Sequence, residues 1–339
     1  MSRPLRLLIV AAGAALLAWL IARVGIGSLL EDARSMGWMI VPVLGLWLIV
    51  YAAYAAAWHV TLEGAPGRPR YLEVLRHSIT GFALNYLTPV FAWSGEPYKA
   101  AAVSDAVGGR RAAGSVVAYN LIHTLSHQLL WILAAAVAAV FVPRTTLGSP
   151  GALRAAALAL GLAMAVLGAL LFLFWRRGFV VPAWNGLGRS PRVRSFLARL
   201  RLSPDSIAGT HAAAVAIARE RPGRLALAVG IDLLGRAAAT LEFWLIFIGV
   251  GSAQPLWMAF LLGGLSTLLL TLLFFLPYEV GAREGGLYLL FQFLGLDPSL
   301  AVFSVIVIRL REIVWIGAGL ALAALPARRA AATEPARSA

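Results

Sequence analysis

Uncharged apolar runs recur along almost the whole chain, and several approach or exceed the ~20 residues a helix needs to cross a ~30 Å hydrocarbon core. Residues 7–22, 36–62, 112–143, 155–175 and 256–276 are such runs. Residues 225–249 and 299–325 are similar but carry internal charges. The composition agrees: 60% of the 339 residues are hydrophobic, and 13% are charged. Soluble domains have roughly twice that charged fraction, about 25%. The expected fold class is therefore all-α, a polytopic transmembrane bundle with about 7–8 spans. Residues 1–326 are read as one membrane domain and 327–339 as a disordered tail. Arg3 and Arg6 before the first run resemble the start of a signal peptide, but no small-x-small site closes it before Arg23. It is read as a retained first helix.

The charge balance gives orientation. Of the 29 basic residues, all but Lys99 are arginine. Residues 176–224 hold ten arginines against Asp205 and Glu220. Short basic loops between apolar spans mark the cytoplasmic side, so nucleic acid is not the expected partner. Arg3 and Arg6 place the N-terminus in the cytoplasm. The links 63–76 and 96–111 are both basic and both belong inside. Residues 77–95 between them must then enter and return, or not cross. They carry Thr80, Gly81, Asn85, Thr88, Pro89, Ser94 and Gly95. A basic tail puts the C-terminus inside as well, which requires 277–297 to cross or to pair with another broken helix. Two broken or re-entrant segments are thus expected, at 77–99 and 277–297. The basic loop is too short for a catalytic domain, and its residues 205–221 read as an amphipathic surface helix.

Broken helices expose backbone groups that are tolerated at depth only where protein or water covers them. Their half-helix ends bind polar and anionic headgroups. The first break reads Asn85-Tyr-Leu-Thr-Pro89, with Gly95, Glu96 and Lys99 following. The second reads Pro277-Tyr-Glu279-Val-Gly281-Ala-Arg283-Glu284-Gly285. Pro89 precedes Glu96 by the same interval that separates Pro277 from Glu284. Glu279 and Arg283 are spaced to pair along one helix face. Asp232, Arg236 and Glu242 lie in one span, and Arg309, Arg311 and Glu312 in another. Each such charge costs at least ~2.5–3.5 kcal/mol at a helix centre unless paired or hydrated. Asp232 with Arg236, and Arg309 with Glu312, have pairing intervals. His123 and His127 are one turn apart, but no third ligand is evident, so polar packing is expected rather than a metal. The chain has no cysteine. No dinucleotide fingerprint, P-loop or G-x-S-x-G elbow is present. No cofactor and no catalytic residues are expected.

At these motifs the sequence resembles the lysylphosphatidylglycerol synthase transmembrane-region family, also described as flippase-like membrane proteins. The residues that carry the likeness are Asn85, Thr88-Pro89 and Gly95-Glu96 in the first stretch. In the second they are Pro277, Gly281 to Gly285, Leu296-Asp-Pro-Ser and Arg309 with Glu312. The likeness runs over roughly residues 5–325. It implies a multi-pass inner-membrane protein, here without the aminoacyl-transfer domain of the bifunctional synthases. The first stretch departs from the pattern in having Phe91-Ala-Trp-Ser where relatives are often more Gly-rich.

The expected function is lipid translocation or lipid handling. Asn85, Glu96, Lys99, Glu279, Arg283, Glu284, Arg309 and Glu312 are the expected lipid-binding residues, with Arg283 and Arg309 on a phosphate. Pro89, Gly95, Pro277, Gly281 and Gly285 break the helices. The partners expected are a phospholipid or polyprenyl-phosphate-linked lipid, with a homo-oligomer or enzyme partner allowed. The alternative is an accessory subunit or membrane enzyme acting on a lipid-linked sugar or aminoacyl donor, with Glu96 and Glu284 as acid and base.

Overall fold

A computed structural model describes residues 15–16, 18–87, 95–142, 152–177, 204–220, 222–273 and 281–325. Residues 7–14 and 17 of the first apolar run, Pro89, Pro277, Glu279, most of the basic loop and the tail lie outside the described residues. Those described are helical, with short connections. After helical residues 18–24 come α1 (Ile26–Met36), α2 (Ile40–Thr61), α3 (Tyr71–Leu87), α4 (Gly95–Val107) and α5 (Gly109–Phe141). Then follow α6 (Ala152–Arg176), α7 (Pro204–Glu220), α8 (Pro222–Gly249), α9 (Leu256–Leu272), α10 (Ala282–Phe293) and α11 (Pro298–Ala324). Among the described residues, three stretches are long and apolar enough to cross a bilayer: Ile26–Thr61, Gly109–Phe141 and Leu158–Arg176. α6 exposes Leu158, Leu162, Val166, Leu170 and Phe174, an apolar face of the kind that meets lipid. α8 and α11 have the length to cross but carry three charged residues each in their middle turns.

Local sequence sets the helix ends. α11 starts where Asp297 accepts a hydrogen bond from Ser299 N–H, with Pro298 in the first turn. α10 ends at Gly295, whose φ of 72° lets Leu296 N–H reach back to Phe291 O at 2.9 Å. The expected helix over 205–221 is α7, which packs on α5 so closely that a Cβ on Gly114 would lie 2.7 Å from the Ala213 methyl.

An internal repeat organises the bundle. α2 to α5 and α8 to α11 share one order: a long helix, a 17-residue helix, a break, a short helix and a long helix. The offset that carries Glu96 onto Glu284 also carries Pro89 onto Pro277. It brings the first residues of α4 and α5 to within one position of those of α10 and α11. Packing follows the same symmetry. α3 lies antiparallel on α11, with Arg76 Nε on Leu322 O at 2.9 Å and Thr80 Oγ1 on Gly319 O at 3.2 Å. α9 lies antiparallel on α5, with Trp131 Nε1 on Thr267 Oγ1 at 3.1 Å and Phe141 stacked on Trp257. α2 and α8 also run antiparallel: Gly235 abuts Ala53 of α2, and Gly249 abuts Met36 and Met39, which lie just before α2. The halves are therefore related in the inverted sense, an arrangement recurrent among transporters.

The broken segments are short. α3 and α4 have 17 and 13 residues, and α9 and α10 have 17 and 12. Each falls below the ~20 residues of a full crossing. α3 and α4 fold back on one another. Gly81 faces Gly95 so closely that a Cβ on Gly95 would lie 2.1 Å from Gly81 O, and His77 Nδ1 meets Tyr98 Oη at 3.0 Å.

Candidate functional site

Among the described residues the embedded charges collect into three groups. The largest is built where α10 meets α11. Gly281 has a φ of 85°, which glycine tolerates, and its N–H donates to Glu284 Oε2 at 2.7 Å. That bond pins Glu284 at the start of α10, beside Arg283. One turn of α11 then presents Arg309 and Glu312 together. Arg309 Nη2 is 2.9 Å from Glu284 Oε1, and Arg309 Nη1 is 3.2 Å from Glu312 Oε2. Arg283 Nη1 pairs with Glu312 Oε1. Tyr86 from α3 donates its hydroxyl to Glu312 and accepts from Arg309 Nη1 at 2.8 Å. Four charges from two helices and a phenol from the first half thus form one network. Glu284 and Glu312 are buried, whereas the Arg309 side chain keeps 22% of its surface exposed.

Beside it, Arg311 closes a second pair. Its Nε and Nη2 donate to the two oxygens of Glu242 on α8 at 3.0 and 3.2 Å, a bidentate contact. The guanidinium lies 3.7 Å from the ring centre of Trp47. Among the described residues of this region, three arginines and three glutamates therefore balance. A buried pair becomes costly mainly when one partner is lost.

The first break carries a smaller group. Asn85 Oδ1 accepts from Gly95 N–H at 2.7 Å and so caps α4 from α3. Lys99 Nζ is 2.9 Å from Glu96 Oε1, and it lies 5.1 and 6.0 Å from the ring centres of Tyr119 and Trp58. Asn85 and Tyr86 are neighbours in sequence. One turn of α3 therefore touches both charge groups.

Of the expected lipid-binding residues, Arg283, Glu284, Arg309 and Glu312 come together, and Asn85, Glu96 and Lys99 form the second group; Glu279 lies outside the described residues. Of the expected helix-breaking residues, Gly95 and Gly281 stand at helix starts, and Gly285 lies within α10. The Arg309–Glu312 pair forms as its spacing indicated. Sequence reasoning missed Tyr86, which has no charge to mark it. It also missed the third group, on α5 and α8. There Asp232 and Arg236 pair at 3.0 Å as expected, but Asp232 also engages His123 and Ser126, and Arg236 also engages Ser126 and His127. Among the described residues no group of three or more His, Cys, Asp and Glu side chains is arranged to hold a metal. A cavity of about 130 Å³ opens near the Thr61 end of α2, where Glu63, Arg111 and Arg224 are among its lining. None of its lining residues belongs to the broken segments.

No curated protein and no solved structure matches the chain. A family model described as "Lysylphosphatidylglycerol synthase TM region" matches residues 5–325, which takes in both broken segments and all three charge groups. The chain therefore belongs to this membrane-associated, lipid-related family.

Proposed function

We propose that the protein translocates lipid, or otherwise handles it, within a bacterial-type inner membrane. A phosphate-bearing headgroup binds at the Arg283–Glu284–Arg309–Glu312 network. The observation that carries this reading is the unequal exposure of the network. Arg309 is partly accessible, while the carboxylates that hold it are buried. An incoming phosphate reaches Arg309 first and exchanges with a carboxylate as its partner. The planar guanidinium suits this exchange, because it can present two N–H groups to either oxyanion. Tyr86 donates to Glu312 and accepts from Arg309, so its hydroxyl can follow the exchange without losing all partners. The acyl chains stay in lipid beside the bundle.

The test is headgroup accessibility in proteoliposomes holding the purified full chain and fluorescent or isotopically labelled phospholipid. Wild type should exchange headgroups between leaflets faster than empty vesicles. Arg309→Ala should reduce the rate by about tenfold, the loss of ~1.4 kcal/mol of interaction. Equal rates for wild type and Arg309→Ala, in protein that elutes as wild type does, would overturn the assignment. Lipid products detected by mass spectrometry would point instead to an enzyme.

A further inference from the structure

His123 and His127 are equivalent by spacing, and the fold makes them different. Arg236 can only donate, so His127 Nε2, which faces Arg236 Nη1, gives its lone pair to that contact. The ring also stacks on Trp131. His127 is thereby a fixed partner of the arginine. His123 Nδ1 lies 2.9 Å from Asp232 Oδ1. An ionised carboxylate only accepts, so Nδ1 carries the proton and Nε2 keeps a free lone pair. That lone pair has no hydrogen-bond partner among the described residues, and the His123 side chain is 32% exposed.

The rest of the group is locked. Asp232 is fully buried and takes bonds from His123, Ser126 Oγ and Arg236 Nε. Arg236 also donates to Ser126 Oγ and to the backbone carbonyl of His123, each at 2.8 Å. The groups facing His123 are Tyr119 and His127 on its own helix, Tyr54 on α2, and Asp232 and Arg236 on α8. Beyond Tyr119 lie Lys99 and Glu96 of α4. Asp232 offsets Arg236, and Glu96 offsets Lys99. One added proton on His123 therefore changes the net charge of the whole cluster, close to the first break. Ionisable chains of this kind inside spans serve as proton relays in transporters.

We propose that His123 is a proton-binding site near the middle of α5, and that its protonation drives the headgroup movement assigned above. The coupling rests on that reading, whereas the proton site does not. The step is a reversible protonation. Nε2 takes a proton from water that reaches the ring edge, forming an N–H bond, and returns it to water when that bond breaks. Asp232 fixes the tautomer and stabilises the imidazolium.

The proton site is tested on the full chain in nanodiscs with 15N-labelled histidine, followed by NMR from about pH 4.5 to 8. The ring signal lost in His123→Asn should titrate and should show the Nδ1–H tautomer at the upper end. Asp232→Asn should lower its midpoint by about one pH unit, since an opposite charge stabilises the charged ring. His127→Asn should leave the tautomer of His123 unchanged. A His123 ring that never titrates, or carries its proton on Nε2, would overturn the site. Coupling is tested in proteoliposomes under an imposed pH gradient. Wild type should respond by several-fold. His123→Asn, which retains an N–H donor toward Asp232, should not respond. A wild-type rate indifferent to the gradient would overturn the coupling. If His123 titrates but no headgroup moves in any vesicle, the translocation reading fails and the proton site stands.

Discussion

In the first broken segment the charges are local. Glu96 and Lys99 are three apart on one helix, and the lysine rests against Tyr119 and Trp58. In the second, Arg283 and Glu284 on α10 find their partners on α11, and Tyr86 joins them from the other half. The repeat supplies the same helix order and the same Pro-to-Glu interval to both. Side-chain wiring then separates them. A pair within one helix can be exchanged without moving neighbours. A network spanning α3, α10 and α11 ties the second break to two long helices. The first break is thereby suited to local rearrangement and the second to anchoring.

The largest effect is expected at Glu312, the hub of the network. Glu312→Ala leaves Arg283 and Arg309 each without a carboxylate they now share. Breaking a buried pair in this way costs about 3–5 kcal/mol. Thermal unfolding of the purified protein in detergent should show this loss as a markedly lower midpoint. Glu96→Ala should shift the midpoint far less, because only Lys99 loses a partner. Equal shifts would erase the distinction between the two breaks.

Much of the bundle was legible in the sequence. Apolar runs located α2, α5, α6, α8 and α11 because bilayer thickness fixes their length, whereas the run 256–276 located α9, whose 17 residues stop short of a full crossing. Pro, Gly and clustered charges located the breaks. Pairs within one helix, Asp232–Arg236 and Arg309–Glu312, follow from helical periodicity alone. The contacts between helices do not. Arg283 and Glu312 are 29 residues apart, Glu242 and Arg311 are 69, and His123 and Asp232 are 109. Their pairing depends on which helices become neighbours, and side-chain spacing carries no record of that. Tyr86 illustrates the point: its role exists only because α3 of one half packs on α11 of the other.

Backbone proximity gives the next test. A Cβ on Gly95 would lie 2.1 Å from Gly81 O and 2.7 Å from its carbonyl carbon, so backbone must move to admit it. Gly285, in the matching segment, would meet only a Leu16 methyl, at 3.3 Å. Gly95→Ala should therefore cost about 1–3 kcal/mol, the usual range for overpacking. Gly285→Ala should be nearly neutral. Because Gly95 N–H is also the donor to Asn85, Gly95→Ala should make Asn85→Ala less costly than it is in wild type, a coupling that a double-mutant cycle measures.

The smallest effect is expected at Lys99, the one lysine in a chain whose other basic residues are arginine. Its ammonium needs a single carboxylate and two ring faces, and none of these requires a fork of donors. Lys99→Arg keeps the charge and the cation–π contact, but it brings a bulkier head against Gly81, where the lysine stem already lies within 2.8 Å of a Cβ position. The unfolding midpoint should fall slightly, by an amount corresponding to less than ~1 kcal/mol. Lys99→Met removes the partner of Glu96 and should fall further, and Glu96→Gln should restore most of that loss if the pair is self-contained. Should Glu96→Gln fail to rescue Lys99→Met, Lys99 would have to be bound into the Tyr119–His123 cluster behind it. The first break would then be wired across helices like the second.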